Sequence, residues 1–93
     1  MKARALVARN LRKLRVAKGL SQEALAVDAG IDRTYVSRLE RGLENPTVAV
    51  LERVAQALDA RLEEFFVEPV RGEPAPRPLP AGRRARLAPR RSS

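Results

Sequence analysis

Five side chains share the spacing and the chemistry to bind something: Arg33, Thr34, Ser37, Arg38 and Arg41. On a helix, residues three and four apart lie side by side, so these five fall on one face. Arginine offers a planar fork of donors, and the two hydroxyls both donate and accept. Such a face can read acceptor atoms, but it cannot run a reaction by itself. The chain has no His and no Cys. The usual general base, the commonest metal ligand and the thiolate nucleophile are therefore missing, and no carboxylate pair is placed for a cleft. We expect no enzyme, no cofactor and no metal. The formal net charge is +8 and the pI is near 11.4, which points to a polyanionic partner or an acidic surface. Sixteen of the nineteen basic residues are Arg. That skew is a compositional bias, so not every Arg needs a role.

The elements that must position this face lie in Gln22 to Arg41, which reads as helix, turn, helix. Leu25, Ala26 and Ala29 line one side of a first short helix. Gly30 ends it, because a residue without a Cβ enters the left-handed conformation at little cost. Ile31 plugs the corner. Asp32 is a good N-cap for the next helix. Val36 and Leu39, at i and i+3, turn that helix inward and leave the five polar residues outward. Ala26 must be small where the two helices cross. The pattern is a helix-turn-helix, with the second helix as the recognition helix.

Around it, residues 3–18 read as a helix with an apolar stripe of Val7, Leu11 and Leu14. Arg4, Arg9, Arg12 and Lys13 lie off that stripe, either as a solvated face or as phosphate contacts. Gly19 ends this helix, Leu20 packs behind it, and Ser21 caps the next. After Gly42, Asn45-Pro46 form a turn and Thr47 caps a fourth helix with Val48, Leu51, Val54, Ala55 and Leu58 at apolar positions. Asp59-Ala60 break the chain before a short last helix over residues 61–67. Phe65 and Phe66 there are about 100° apart on an α-helix and cannot easily face one core together. One is left for a partner.

At Glu68 the composition changes. Residues 68–93 hold six of the seven prolines, seven Arg and two Glu, and almost no large apolar side chains. We expect a disordered basic tail there: a solvated extension, a non-specific nucleic-acid arm or a partner-binding segment. Residues 1–67 form the single domain, carrying 12 basic and 9 acidic residues. A domain this small buries only about 60% of its unfolded surface, so a dimer contact would add stability. No apolar run is long enough to span a bilayer, and MKARALVARN lacks the apolar stretch of a secretory signal. We expect a cytoplasmic, nucleoid-associated protein with no membrane partner.

Residues 7–66 resemble the Cro/CI-type helix-turn-helix proteins, the XRE family. The carriers are LRKLRVAKGLSQEALA, AGIDRTYVSRLERG and NPTVAVLERVAQAL. Within that family RTYVS and LERG are especially similar to the controller proteins of restriction–modification systems. The resemblance implies an all-α, five-helix, lambda-repressor-like domain that binds double-stranded DNA and regulates transcription as a homodimer on an inverted repeat. It implies base contacts from Arg33, Thr34, Ser37 and Arg38. It implies backbone contacts from Gln22 and Tyr35, for which plain alternatives are a first-turn residue and a ring packed against helix 2; Arg12, on the first helix, and Arg41, at the end of the exposed face, are expected to meet the backbone as well. It implies an interior ion pair between Arg15 and Glu40. Leu62, Phe65, Phe66 and Val67 are the apolar surface left for the dimer interface. Asp59 and Arg61 depart from the Gly and the Ser or Thr common at those positions. The competing function is an antitoxin-like interaction module, with a toxin or polymerase as protein partner. The basic recognition face favours DNA.

Overall fold

Among the described residues, four helices and one short 3-10 turn follow from local caps and apolar spacing. The computed structural model describes residues 2–69. Helix α1 runs Ala3–Lys18, α2 Gln22–Ala29, α3 Arg33–Glu40 and α4 Val48–Leu58, followed by a 3-10 helix Leu62–Phe66. No strand occurs among the described residues. The expected tail over 68–93 lies outside them apart from Glu68 and Pro69.

The expected caps are in place. Ser21 Oγ accepts from Ala24 N at 2.9 Å, Asp32 Oδ2 from Thr34 N at 2.8 Å and Thr47 Oγ1 from Val50 N at 3.1 Å. Each satisfies one of the amides that a helix leaves without an internal partner.

The core gathers Val7 and Leu11 of α1, Leu25, Ala26 and Ala29 of α2, Val36 and Leu39 of α3, and Leu51, Val54, Ala55 and Leu58 of α4. Phe65 closes it from the 3-10 helix. The inward face of α1 is wider than the stripe expected for it: Leu6, Ala8 and Asn10 are also buried, while Leu14 is only partly so. At the other extreme, Val48 was expected on the apolar face of α4 but is 64% exposed. It is the first residue of that helix, before the chain has turned fully onto the core.

The last element corrects two expectations. It is a 3-10 turn rather than an α-helix, with neighbours about 120° apart. Phe65 is fully buried, so it is not available to a dimer interface, whereas Phe66 is 47% exposed. Leu62 packs partly against the core. Asn10 fixes this arrangement: its Nδ2 donates to Phe65 O at 2.8 Å and to Val67 O at 2.9 Å. Both amide hydrogens of a buried side chain are thereby used, and the chain's exit from the core is tied to α1.

Candidate nucleic-acid interface

The sequence of α3 decides which way it faces. Val36 and Leu39 are sealed in the core. Arg33, Thr34 and Arg41 are exposed, and Ser37 and Arg38 are half-buried. The face expected for binding is therefore outward. Arg33 and Arg41 have no side-chain partner among the described residues, so their donors stay available.

What holds α3 in place comes from three directions. First, Arg15 of α1 grips Glu40 at the last position of α3: Nε donates to Oε2 at 2.5 Å and Nη2 to Oε1 at 2.9 Å. The two side chains are only 12% and 2% exposed. Arg15 Nη1 also donates to Leu20 O at 2.7 Å, satisfying the carbonyl just after α1. The pair expected between Arg15 and Glu40 is present in two-pronged form. Second, Gln22 joins it, with Nε2 donating to Glu40 Oε1 at 3.0 Å. One amide hydrogen of Gln22 is therefore committed to the interior and one remains.

Third, Arg53 reaches from α4 to the turn between α2 and α3. Its Nε donates to Ala29 O at 3.1 Å and its Nη2 to Gly30 O at 2.5 Å. The carbonyls at a helix C-terminus lack internal donors, and a guanidinium supplies two. Gly30 sits at φ 71°, and a Cβ there would lie 3.0 Å from Arg53 Nη2. Glycine is thus favoured by its left-handed backbone conformation, and a Cβ there would press on Arg53. Sequence reading missed Arg53, because its use depends on α4 crossing the turn, and no local spacing signals that.

Tyr35 packs partly against the core. Burial, and secondarily the charge of Glu44, push its phenol above the ordinary value of 10.0. It stays a neutral hydrogen-bond donor at neutral pH. Arg12 is exposed on α1. Arg38 is not free: its Nε donates to Glu44 Oε2 at 2.6 Å. Glu44, like Arg53 and Asn10, was not singled out by the sequence. It lies six residues beyond Arg38, outside the i+3 and i+4 rule that flags helical pairs. No group of three or more potential metal-ligating His, Cys, Asp or Glu side chains occurs among the described residues. No helix there is long and apolar enough to cross a membrane.

Two short helices about a Gly turn, the second presenting a basic face, define a helix-turn-helix protein. The chain belongs to the HTH_3 helix-turn-helix family, whose model matches residues 11–65. It is similar to the restriction–modification controller protein C.AhdI from Aeromonas hydrophila, with 44% identity and a TM-score of 0.66. That match covers 68% of this chain and 96% of the controller protein. A second solved structure, the hypothetical transcription factor NHTF from Neisseria, matches with TM-score 0.70 and 43% identity, over 73% of this chain and 78% of that one. Among curated relatives, the uncharacterized HTH-type transcriptional regulator y4dJ of Sinorhizobium fredii is 48% identical over 58 residues, which are 62% of this chain and 75% of that protein. The match to the Neisseria meningitidis hypothetical transcription factor, 44% identical, spans 62% of that relative's length.

Proposed function

We propose that the protein binds double-stranded DNA sequence-specifically and regulates transcription as a homodimer on an inverted repeat. The observation that carries this reading is α3 itself: one side is sealed into the core while Arg33 and Thr34 stand exposed at its start. Arg33 supplies two donors to guanine O6 and N7, and Thr34 and Ser37 meet base edges or a thymine methyl. Arg12, Gln22, Tyr35 and Arg41 serve the sugar–phosphate backbone, Gln22 through its second amide hydrogen. Relatives described as transcriptional regulators and as control proteins support the regulatory part. The role is one of binding, exercised in the cytoplasm on the nucleoid.

Two recognition helices must lie about 34 Å apart to enter successive major grooves. Phe66 and Val67, 47% and 55% exposed, form the apolar surface proposed to set that distance. Selection of bound sequences from a random DNA pool, with the stoichiometry measured on the winner, tests the whole reading. A two-fold symmetric motif bound by two chains is expected. Absence of any enriched sequence would overturn DNA reading, and one chain per enriched site would overturn the dimer.

A further inference from the structure

Of the three arginines on the recognition face, Arg38 alone is held. Arg33 and Arg41 have no side-chain partner among the described residues. Arg38 Nε donates to Glu44 Oε2 at 2.6 Å, and its Nη2 lies 3.5 Å from Leu43 O, a marginal contact.

The backbone places Glu44 there. Gly42 takes a left-handed φ of 73°. Gly42 N then donates to Leu39 O at 3.1 Å and Leu43 N to Arg38 O at 2.9 Å. The chain is folded back over the last turn of α3, so that residue 44 meets residue 38. Pro46 follows at once and restricts Asn45 to extended conformations. The Glu44 carboxylate is 28% exposed and the Arg38 side chain 44%.

The geometry has two consequences. Arg15 shows that a guanidinium can use its Nε/Nη side to grip two acceptors. In Arg38 Nε is taken by Glu44 and Nη2 lies against Leu43 O, which leaves Nη1 and the second hydrogen of Nη2 to donate outward. A guanidinium tethered at Nε also has fewer rotamers to lose on binding. Furthermore, a carboxylate beside the recognition helix opposes phosphates that approach out of register. The field of Glu44 reaches along α3, since it also acts on Tyr35.

We propose that Glu44 is a specificity-determining residue, which orients Arg38 so that its Nη1/Nη2 end reads one base pair of the target and which penalises non-specific contact. This deepens the DNA-binding reading above and rests on it. Glu44 acts through Arg38 and is therefore a positioning residue.

The test is selection from a random DNA pool by the full chain and by Arg38→Ala, Glu44→Gln, Glu44→Ala and the double variant Arg38→Ala/Glu44→Ala. Affinities for the winning and for random duplexes are measured at two salt concentrations. Arg38→Ala is expected to lose preference at one position per half-site, by about tenfold. Glu44→Gln and Glu44→Ala should lose preference at that same position while binding random DNA more tightly at low salt. The double variant should be no less selective than Arg38→Ala. Unchanged circular dichroism in Glu44→Gln, which keeps the shape of the side chain, separates this from misfolding. Full preference in both Glu44 variants overturns the inference while leaving DNA reading intact. Loss of preference in Arg38→Ala at a different position from Glu44→Gln overturns it also. No enriched sequence with the wild-type chain overturns the underlying reading instead.

Discussion

Two Arg–Glu pairs sit at the two ends of one structural logic. Arg15–Glu40 joins α1 to α3 with side chains 12% and 2% exposed, and Gln22 Nε2 and the Leu20 carbonyl complete its hydrogen bonds. Arg38–Glu44 lies on the opposite side of α3, with side chains 44% and 28% exposed. The residue types are identical. In the interior, water cannot replace a lost partner, so removing one charge strands the other. At the surface, water can replace it, so the pair adds little stability. Burial therefore turns one pair into a strut and leaves the other a partly exposed contact on the outward side of α3.

The most severe way to probe this contrast is Arg15→Ala. It strands Glu40, and breaking a buried pair costs about 3–5 kcal/mol. A domain of this size has about 3–10 kcal/mol of total stability, so the variant should melt far below wild type or fail to fold. An unchanged melting temperature would show that the pair is not a strut.

Arg33→Ala tests the other side. It should leave melting unchanged and cost about 1–3 kcal/mol of binding per half-site, confined to one base pair. Equal weakening on specific and random DNA would remove Arg33 from base reading. Arg12→Ala serves as the contrast, expected to weaken all duplexes alike and to flatten the salt dependence.

Phe66→Asp carries the comparison to the adjacent aromatics. Phe66 is half exposed and Phe65 fully buried. The variant should stay folded and sediment as a monomer with weak half-site binding, whereas Phe65→Asp should unfold the domain. A Phe66→Asp dimer would move the interface elsewhere.

Smaller still is the stability effect of Arg38→Ala. Surface pairs contribute about 0–1 kcal/mol, so melting should shift by a few degrees at most. A shift rivalling Arg15→Ala would erase the distinction between the two pairs.

The smallest effect belongs to Lys18 and Asp59, at 2.8 Å on the surface. The hydrogen bond from Lys18, and then its charge, hold the Asp59 carboxyl below its ordinary value of 3.8. A carboxyl lowered in the folded state stabilises the fold above its unfolded value. That contribution fades as pH falls through the folded value, below 3.8. Melts between pH 2 and 6 should show a slight extra loss at the acid end in wild type, absent in Lys18→Ala.

Much of the architecture was legible in the residues themselves. Ser21, Asp32 and Thr47 announce helix starts, and Gly19, Gly30 and Gly42 announce stops, because capping and left-handed turns act within a few residues. The outward set on α3 follows from Val36 and Leu39 turning inward. Asp59 stands where Gly is common in the family it resembles, yet it adopts a left-handed φ of 54°.

Other features depend on approaches between segments distant in sequence. Asn10 meets residues 55 and 57 positions away, Arg53 meets a turn 23 and 24 positions away, and Glu44 meets Arg38 only because Gly42 folds the chain back. Helical spacing could say that one Phe would be spare, but the 3-10 geometry and the Asn10 tie decided that it is Phe66. The sequence by itself determined the helices, their caps and the basic face, since these follow from short-range sterics and apolar periodicity. Only the tertiary structure decided which arginines are struts, which meet a surface carboxylate and which stay open, because that depends on burial and on which carboxylate or carbonyl folding brings within hydrogen-bond reach.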